Sequence, residues 1–158
     1  MSEFELILAV DALTPEQEDA IYAHCDALIS SHGDSTRLTV TAEGTDVLEG
    51  AHKIFALLAS LGVGTRRMYE DFVTRGDIAQ RAGVSRQAVG LWVRGERLQE
   101  SPFPGVYSTV GGGIWLWGEV DGWLRENVTS YAGEGIDYPS RMDYLRLNME
   151  LSETSLVS

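Results

Sequence analysis

Arg86 and Gln87 carry the most specific chemistry in this 158-residue chain. An arginine can bond O6 and N7 of guanine together, and a glutamine N6 and N7 of adenine, when a helix carries them into the major groove of duplex DNA. Both stand at the start of a short helical pattern whose Val89, Trp92 and Val93 are apolar, with Gly90 on the opposite, open face. Ser85, Arg75, Arg94 and Arg97 flank them with groups that bond phosphate oxygens and fix register without reading sequence. The expected DNA-contacting set is therefore Arg75, Ser85, Arg86, Gln87, Gly90, Arg94 and Arg97.

Two helices must position these side chains. The stretch 74–97, TRGDIAQRAGVSRQAVGLWVRGER, has Ile78, Ala79 and Ala82 at helical spacing before Gly83, and Val89, Trp92 and Val93 after it. Thr74 can cap the first helix, and Asp77 three residues on can return the bond. Gly83 permits a left-handed turn, and Ser85 is placed to cap the second helix. This is the pattern of a helix-turn-helix. Two amphipathic helices packed in any small domain would satisfy part of it, but the order continues downstream. Phe103-Pro104 is followed by the glycine run Gly111-Gly112-Gly113, then Ile114-Trp115-Leu116-Trp117, Val120 and Trp123-Leu124.

This order resembles the winged helix-turn-helix of excisionase-like and MerR-type DNA-binding proteins. The span 4–123 is also similar to a family of small actinobacterial DNA-binding proteins that place an α/β segment before such a module. The resemblance implies a wing over about 106–117, with its tip near 108–113, and a closing helix over 118–127. A wing that enters a minor groove or tracks phosphate ordinarily carries Arg or Lys, and this one carries neither. The hairpin is thus expected to anchor Trp115 or Trp117 on the helix pair, with Tyr107, Ser108 and Thr109 offering neutral hydrogen bonds. Four tryptophans could form a stacking platform for single strands, but their spacing matches inward faces better.

Charge opposes DNA binding overall and permits it locally. The chain carries a net charge of −12, and a polyanion repels such a molecule. The imbalance is uneven: residues 1–62 carry −9, residues 63–100 carry +2, and residues 101–158 carry −5. All seven basic residues of the middle stretch are arginines. Weak non-specific affinity follows, and two copies of the module on an inverted repeat would double the contact set.

Little else has reactive spacing. The single cysteine, Cys25, excludes an intrachain disulfide and any multi-cysteine metal site. It falls at helical spacing with Ile21, Leu28 and Ile29 and reads as a small buried hydrophobe. His24, His32 and His52 form no metal-binding spacing. Acids such as Glu16, Glu18, Asp19, Asp46 and Glu49 suit helix N-termini and solvated faces. No catalytic residue, metal ligand or cofactor is expected. No apolar run approaches the roughly 20 residues that span a bilayer, and the first residues lack a basic secretory region, so a cytoplasmic protein without a membrane partner is the expectation.

The N-terminal stretch predicts a β-α-β-α-β order. Residues 4–10 alternate as a strand. Thr14-Pro15-Glu16-Gln17 opens a helix reaching about Ser31, and Gly33-Asp34 ends it. Residues 37–43 form a second strand, Thr45 caps a second helix ending at Gly62, and 63–69 form a third strand. Further on, residues 98–103 read as an irregular loop and 131–136 as a hinge. Pro139-Ser140 opens a last helix with Met142, Leu145, Met149 and Leu151 as its apolar stripe, and 152–158 are expected to fray. The expected class is α+β. Its parts are 1–70 as an interaction or dimerisation domain, 71–129 as the winged helix-turn-helix, and 130–158 as hinge and helix.

The leading expectation is a sequence-specific DNA-binding transcriptional regulator acting as a homodimer on double-stranded DNA. The alternative is a protein-interaction module, such as an antitoxin or a recombination accessory factor. It would keep the helix-turn-helix scaffold and bind a protein through its N-terminal domain.

Overall fold

The computed structural model describes residues 1–97 and 100–157, with the side chains of His32 and residues 155–157 set aside. The fold is mixed α+β with an antiparallel sheet. The chain divides into two compact units, Met1–Glu70 with Ile136–Ser158, and Asp71–Gly135.

The first unit runs β1 (Ser2–Val10), α1 (Pro15–His24), β2 (Ala27–His32), β3 (Ser35–Gly44), α2 (Val47–Ser60), β4 (Thr65–Tyr69) and α6 (Arg141–Val157). The strand order is β2-β3-β1-β4, with every neighbour antiparallel. A β-α-β-β-α-β chain gives this order when β1 and β3 share the centre, the split β-α-β arrangement. Alternation decides the faces. Phe4, Leu6, Leu8 and Val10 of β1, Leu38, Val40 and Ala42 of β3 and Met68 of β4 are buried together with Ile21 of α1 and Ala51, Ile54 and Leu58 of α2.

The expected β-α-β-α-β order is corrected by an additional strand, β2. The first helix stops at His24, and Cys25 is its extended C-cap (φ −137°, ψ 151°). Leu28 and Ile29, expected on a helical stripe, pair instead with Thr39 and Leu38. The two-residue loop Gly33-Asp34 joins His32 to Ser35, with Gly33 at φ +61°. A glycine first in a two-residue loop is a hairpin signal, and the hairpin ladder prevails over a helical stripe that had only Ile21 to bury. Cys25 is half-buried and not a core residue, and burial raises its thiol pKa. The cap of α2 is Asp46, which accepts from Glu49 N at 2.8 Å. Thr45 instead donates to the Glu49 carboxylate at 2.7 Å.

The last helix is also reoriented. Ser140 and Asp143 cap it reciprocally, at 3.1 and 2.9 Å, and the helix runs to Val157, so most of the stretch 152–158 is helical, with Ser158 outside the described residues. Its buried stripe is Tyr144, Leu147 and Leu151, whereas Met142, Leu145 and Met149 are exposed. The reason lies at β4. Asn148 Oδ1 accepts from Met68 N at 2.7 Å and Nδ2 donates to Met68 O at 3.1 Å. One side-chain amide thus does for the β4 edge what another strand would do, which shields a pairing template. Asn148→Leu should leave both backbone groups unsatisfied and cost about 1–3 kcal/mol. Urea unfolding followed by far-ultraviolet circular dichroism reads this, and a loss below about 0.5 kcal/mol would contradict the edge role. Asp137 also pairs with β1, donating to Glu3 O at 2.8 Å and accepting from Glu5 N at 3.1 Å. This seats the start of the C-terminal segment in the first unit.

The second unit comprises β5 (Phe72–Val73), α3 (Arg75–Ala82), α4 (Arg86–Val93), a 3₁₀ turn (Val110–Gly112), β6 (Trp115–Leu116) and α5 (Trp117–Asn127). Its core gathers Val73, Ile78, Val89, Trp92, Trp115, Leu116, Trp117, Val120, Trp123 and Leu124. Phe103 joins the aromatic cluster, 4.9 Å from Trp123 and 6.1 Å from Trp115 between ring centroids. The indoles are satisfied as buried N–H groups require: Trp115 donates to Pro104 O and Trp123 to Ser101 O, each at 3.0 Å. The irregular loop expected over 98–103 begins with Leu98 and Gln99, which lie outside the described residues.

Candidate nucleic-acid interface

Local chemistry builds the helix pair. Thr74 accepts from Asp77 N at 3.2 Å and Asp77 returns the bond to Thr74 N at 2.9 Å, a reciprocal cap on α3. Gly83 ends α3 in the left-handed region (φ +70°, ψ 33°), where a β-carbon would cost roughly 1–2 kcal/mol. Ser85 caps α4 two residues later, accepting from Ala88 N at 3.1 Å. Val89 and Trp92 then turn inward, and Arg86 and Gln87 stand exposed on the first turn of α4.

The backbone N–H of Thr74 holds the Asp77 carboxyl below its usual pKa, with the Thr74 hydroxyl and the Arg81 charge adding to the effect. The folded-state value lies below the unfolded one, so this stabilisation is present above the unfolded pKa and lost as pH falls through the folded pKa. Acidification through the carboxylate range should therefore lower the amide protection factors, taken against the intrinsic exchange rate at each pH, at the first turn of α3. Asp77→Asn should remove that pH dependence, and its persistence would exclude Asp77 as the titrating group.

The remaining site residues are placed unequally. Arg86 lies against Gly76: a β-carbon on Gly76 would sit 3.7 Å from the guanidinium carbon. Gly76 was not among the expected residues. Its only sequence signal was a glycine inside a helix, costing about 1 kcal/mol relative to alanine. Gly90, expected on the open face, is buried. Arg94 folds back over it, with Nη1 3.0 Å from where a β-carbon would stand, and pairs through Nε with Glu96 at 3.0 Å. Arg75, expected at a phosphate, lies half-buried with its guanidinium 5.9 Å from the centroid of a Trp115 ring, and its Nε is buried without a hydrogen-bond partner. Arg97 is exposed. Arg81, outside the expected set, is bound twice by Asp71, at 2.8 and 3.2 Å, and stacks on Trp117.

The hairpin expected over 106–117 is much reduced. Tyr107 N donates to Ile114 O at 2.7 Å and Ile114 N to Ser108 O at 2.8 Å, forming one bridge around the 3₁₀ turn. Trp115 and Leu116 leave it to pair with Val73 and Phe72, and α5 begins at Trp117, one residue before the expected start. Pairing with β5 captures the second arm, and Trp115 is there almost completely buried. Within α5, buried Asp121 is held by Arg125 at 3.0 Å and, from beyond the helix, by the Tyr131 hydroxyl at 2.5 Å, which ties down part of the segment expected to be a hinge.

Among the described residues no group of His, Cys, Asp or Glu could hold a metal ion, and no helix is long and apolar enough to cross a membrane. No protein-family model, curated protein or solved structure matches the chain.

Proposed function

We propose that the second unit is a winged helix-turn-helix of minimal wing, and that the protein is a sequence-specific DNA-binding regulator reading the major groove with α4. The observation that carries this reading is the exposure of Arg86 and Gln87 side by side on the first turn of a short capped helix. That turn is where a recognition helix presents its base-reading side chains. The charge of the helix end supports it. The first turns of α1, α2, α3, α5 and α6 each contain an acid, whereas that of α4 contains none. The positive end of α4 is thus left for an anion, and the Ser85 hydroxyl retains its proton for a phosphate oxygen while its oxygen caps the helix.

Arg86 and Gln87 read base edges in this scheme. Arg97 meets phosphate directly, and Arg94 meets it after leaving Glu96. Gly90 acts by giving Arg94 room and not by touching DNA. Arg75 braces Trp115, and its buried Nε makes a phosphate role depend on a rearranged side chain. With a net charge of −12, a single module has little sequence-independent affinity, and a homodimer on two half-sites answers that need. Selection from a random duplex library at low salt tests the proposal. The expected product is an inverted repeat with half-site centres about 10 base pairs or a multiple apart, and recovery of no enriched sequence would overturn it. The acidity also favours a second reading, a protein-interaction module such as an antitoxin or recombination accessory factor. A stoichiometric protein partner together with that failure would support it.

A further inference from the structure

The face of the four-stranded sheet that bears the odd-numbered residues of β1 carries unlike charges at its two ends. Strand pairing places residues in rows across it. At one end the row is Arg37, Ala9 and Arg67; one step along, it is Leu28, Thr39, Ile7 and Tyr69; at the far end Glu3 stands directly opposite Glu43. Arg37 and Arg67 both lie over the Tyr69 ring, at 5.0 and 5.2 Å from its centroid. Two cations thus share one aromatic ring, and two carboxylates share one cross-strand position. Like charges directly opposite each other, as Glu3 and Glu43 are, destabilise the sheet that carries them. Arg67 reaches Glu70 only at 3.5 Å. Arg37, Arg67, Glu3, Glu43 and Leu28 are exposed, Leu28 at 67%.

We infer that this sheet face is the homodimer interface, two copies packing face to face about a two-fold axis so that the Arg37–Arg67 end of each lies over the Glu3–Glu43 end of the other. From Ala9 to Glu3 is six residues, about 20 Å of strand, so an axis midway between the rows brings both pairs of unlike ends together. A two-fold interface must be self-complementary, and one face bearing both charge signs at opposite ends, with Ile7 and Tyr69 between, meets that condition. Sheets packed this way lie about 10 Å apart with strands within about 30° of alignment. That spacing brings the charged side chains into reach. A nucleic acid on this face would be repelled by Glu3 and Glu43, which argues against the sheet as a second DNA surface.

The face spans roughly 19 by 24 Å, from four strands about 4.8 Å apart and about seven residues of length. This puts the interface at the low end of specific complexes, so the dimer should dissociate on dilution. The inference supplies the dimer invoked for DNA binding but is measured without DNA, so the two stand or fall separately.

Sedimentation equilibrium of the full chain tests it with two variants, Arg37→Glu with Arg67→Glu, and Glu3→Arg with Glu43→Arg. The first has an acidic face and the second a basic one, and circular dichroism checks that both fold. Wild type should show a concentration-dependent dimer. Each variant alone should dimerise at least about tenfold more weakly, and their equimolar mixture should recover a heterodimer, because acidic and basic faces then meet at both ends. A wild-type chain that stays monomeric up to its solubility limit overturns the inference. So does a variant that dimerises as wild type does, or a mixture of folded variants that fails to associate.

Discussion

Arg86→Ala is expected to weaken binding to a selected duplex roughly five- to 150-fold per half-site, the equivalent of about 1–3 kcal/mol for one bidentate base contact. It should also erase preference at one base-pair position in each half-site while leaving the others intact. The geometry behind this is specific: the guanidinium rests against Gly76, on a helix whose first turn is fixed by Ser85. Arg94→Ala supplies the contrast. A phosphate contact carries no sequence information, so its loss should weaken all duplexes alike and reduce the salt slope by about 0.9 per contact. The effect of Arg94→Ala should be smaller than that of Arg86→Ala, because the free protein already pairs Arg94 with Glu96 at 3.0 Å and that pair must open first. Competition gel shifts with single-base operator variants at two salt concentrations separate these effects. Equal behaviour of the two mutants, or no effect of either, would show that the reading face is misassigned.

Trp115→Ala should have the largest effect on stability. The indole is 1% exposed, packs edge-on against Phe103 and lies beneath the Arg75 guanidinium. Removing it deletes a large buried ring, costing about 3–5 kcal/mol, and strips Pro104 O of its donor. A unit of about 65 residues has a total stability on the order of 3–10 kcal/mol, so a large fraction of its reserve would be lost. All four tryptophans fall between residues 92 and 123, within the second unit, so tryptophan emission reports that unit alone. The three remaining indoles should shift to the red at markedly lower urea than in wild type. A change below about 1 kcal/mol would show that Trp115 does not organise the unit.

What could be read from the sequence was what short-range chemistry decides. The caps at Thr14, Thr74 and Ser85 and the left-handed Gly83 depend on residues within three or four positions, and each could be inferred from side-chain type alone. Elements settled by distant partners were misread. Residues 27–32 fit a helical stripe and a strand equally well, and the pairing of Leu28 with Thr39 decided between them. On α6 two apolar stripes competed, and the bonds of Asn148 to Met68, 80 residues away, selected the less obvious one. In the candidate interface, exposure of Arg86 and Gln87 followed from periodicity. The burial of Gly90 under Arg94 and the position of Arg75 over Trp115 were set by side-chain conformations that no spacing rule encodes. The polarity of the sheet face was hidden for a similar reason, because Arg37 and Arg67 flank Ala9, and Glu3 faces Glu43, only once the strand register is known.

The most direct measurement is a titration of the ¹⁵N-labelled protein with the selected duplex, following backbone amides and arginine Nε–H signals by nuclear magnetic resonance. If α4 enters the major groove, the largest shifts fall on residues 85–90 and on the Arg86 Nε–H, with smaller ones at Arg94 and Arg97. Shifts concentrated elsewhere, with Arg86 and Gln87 unmoved at saturating DNA, would contradict it.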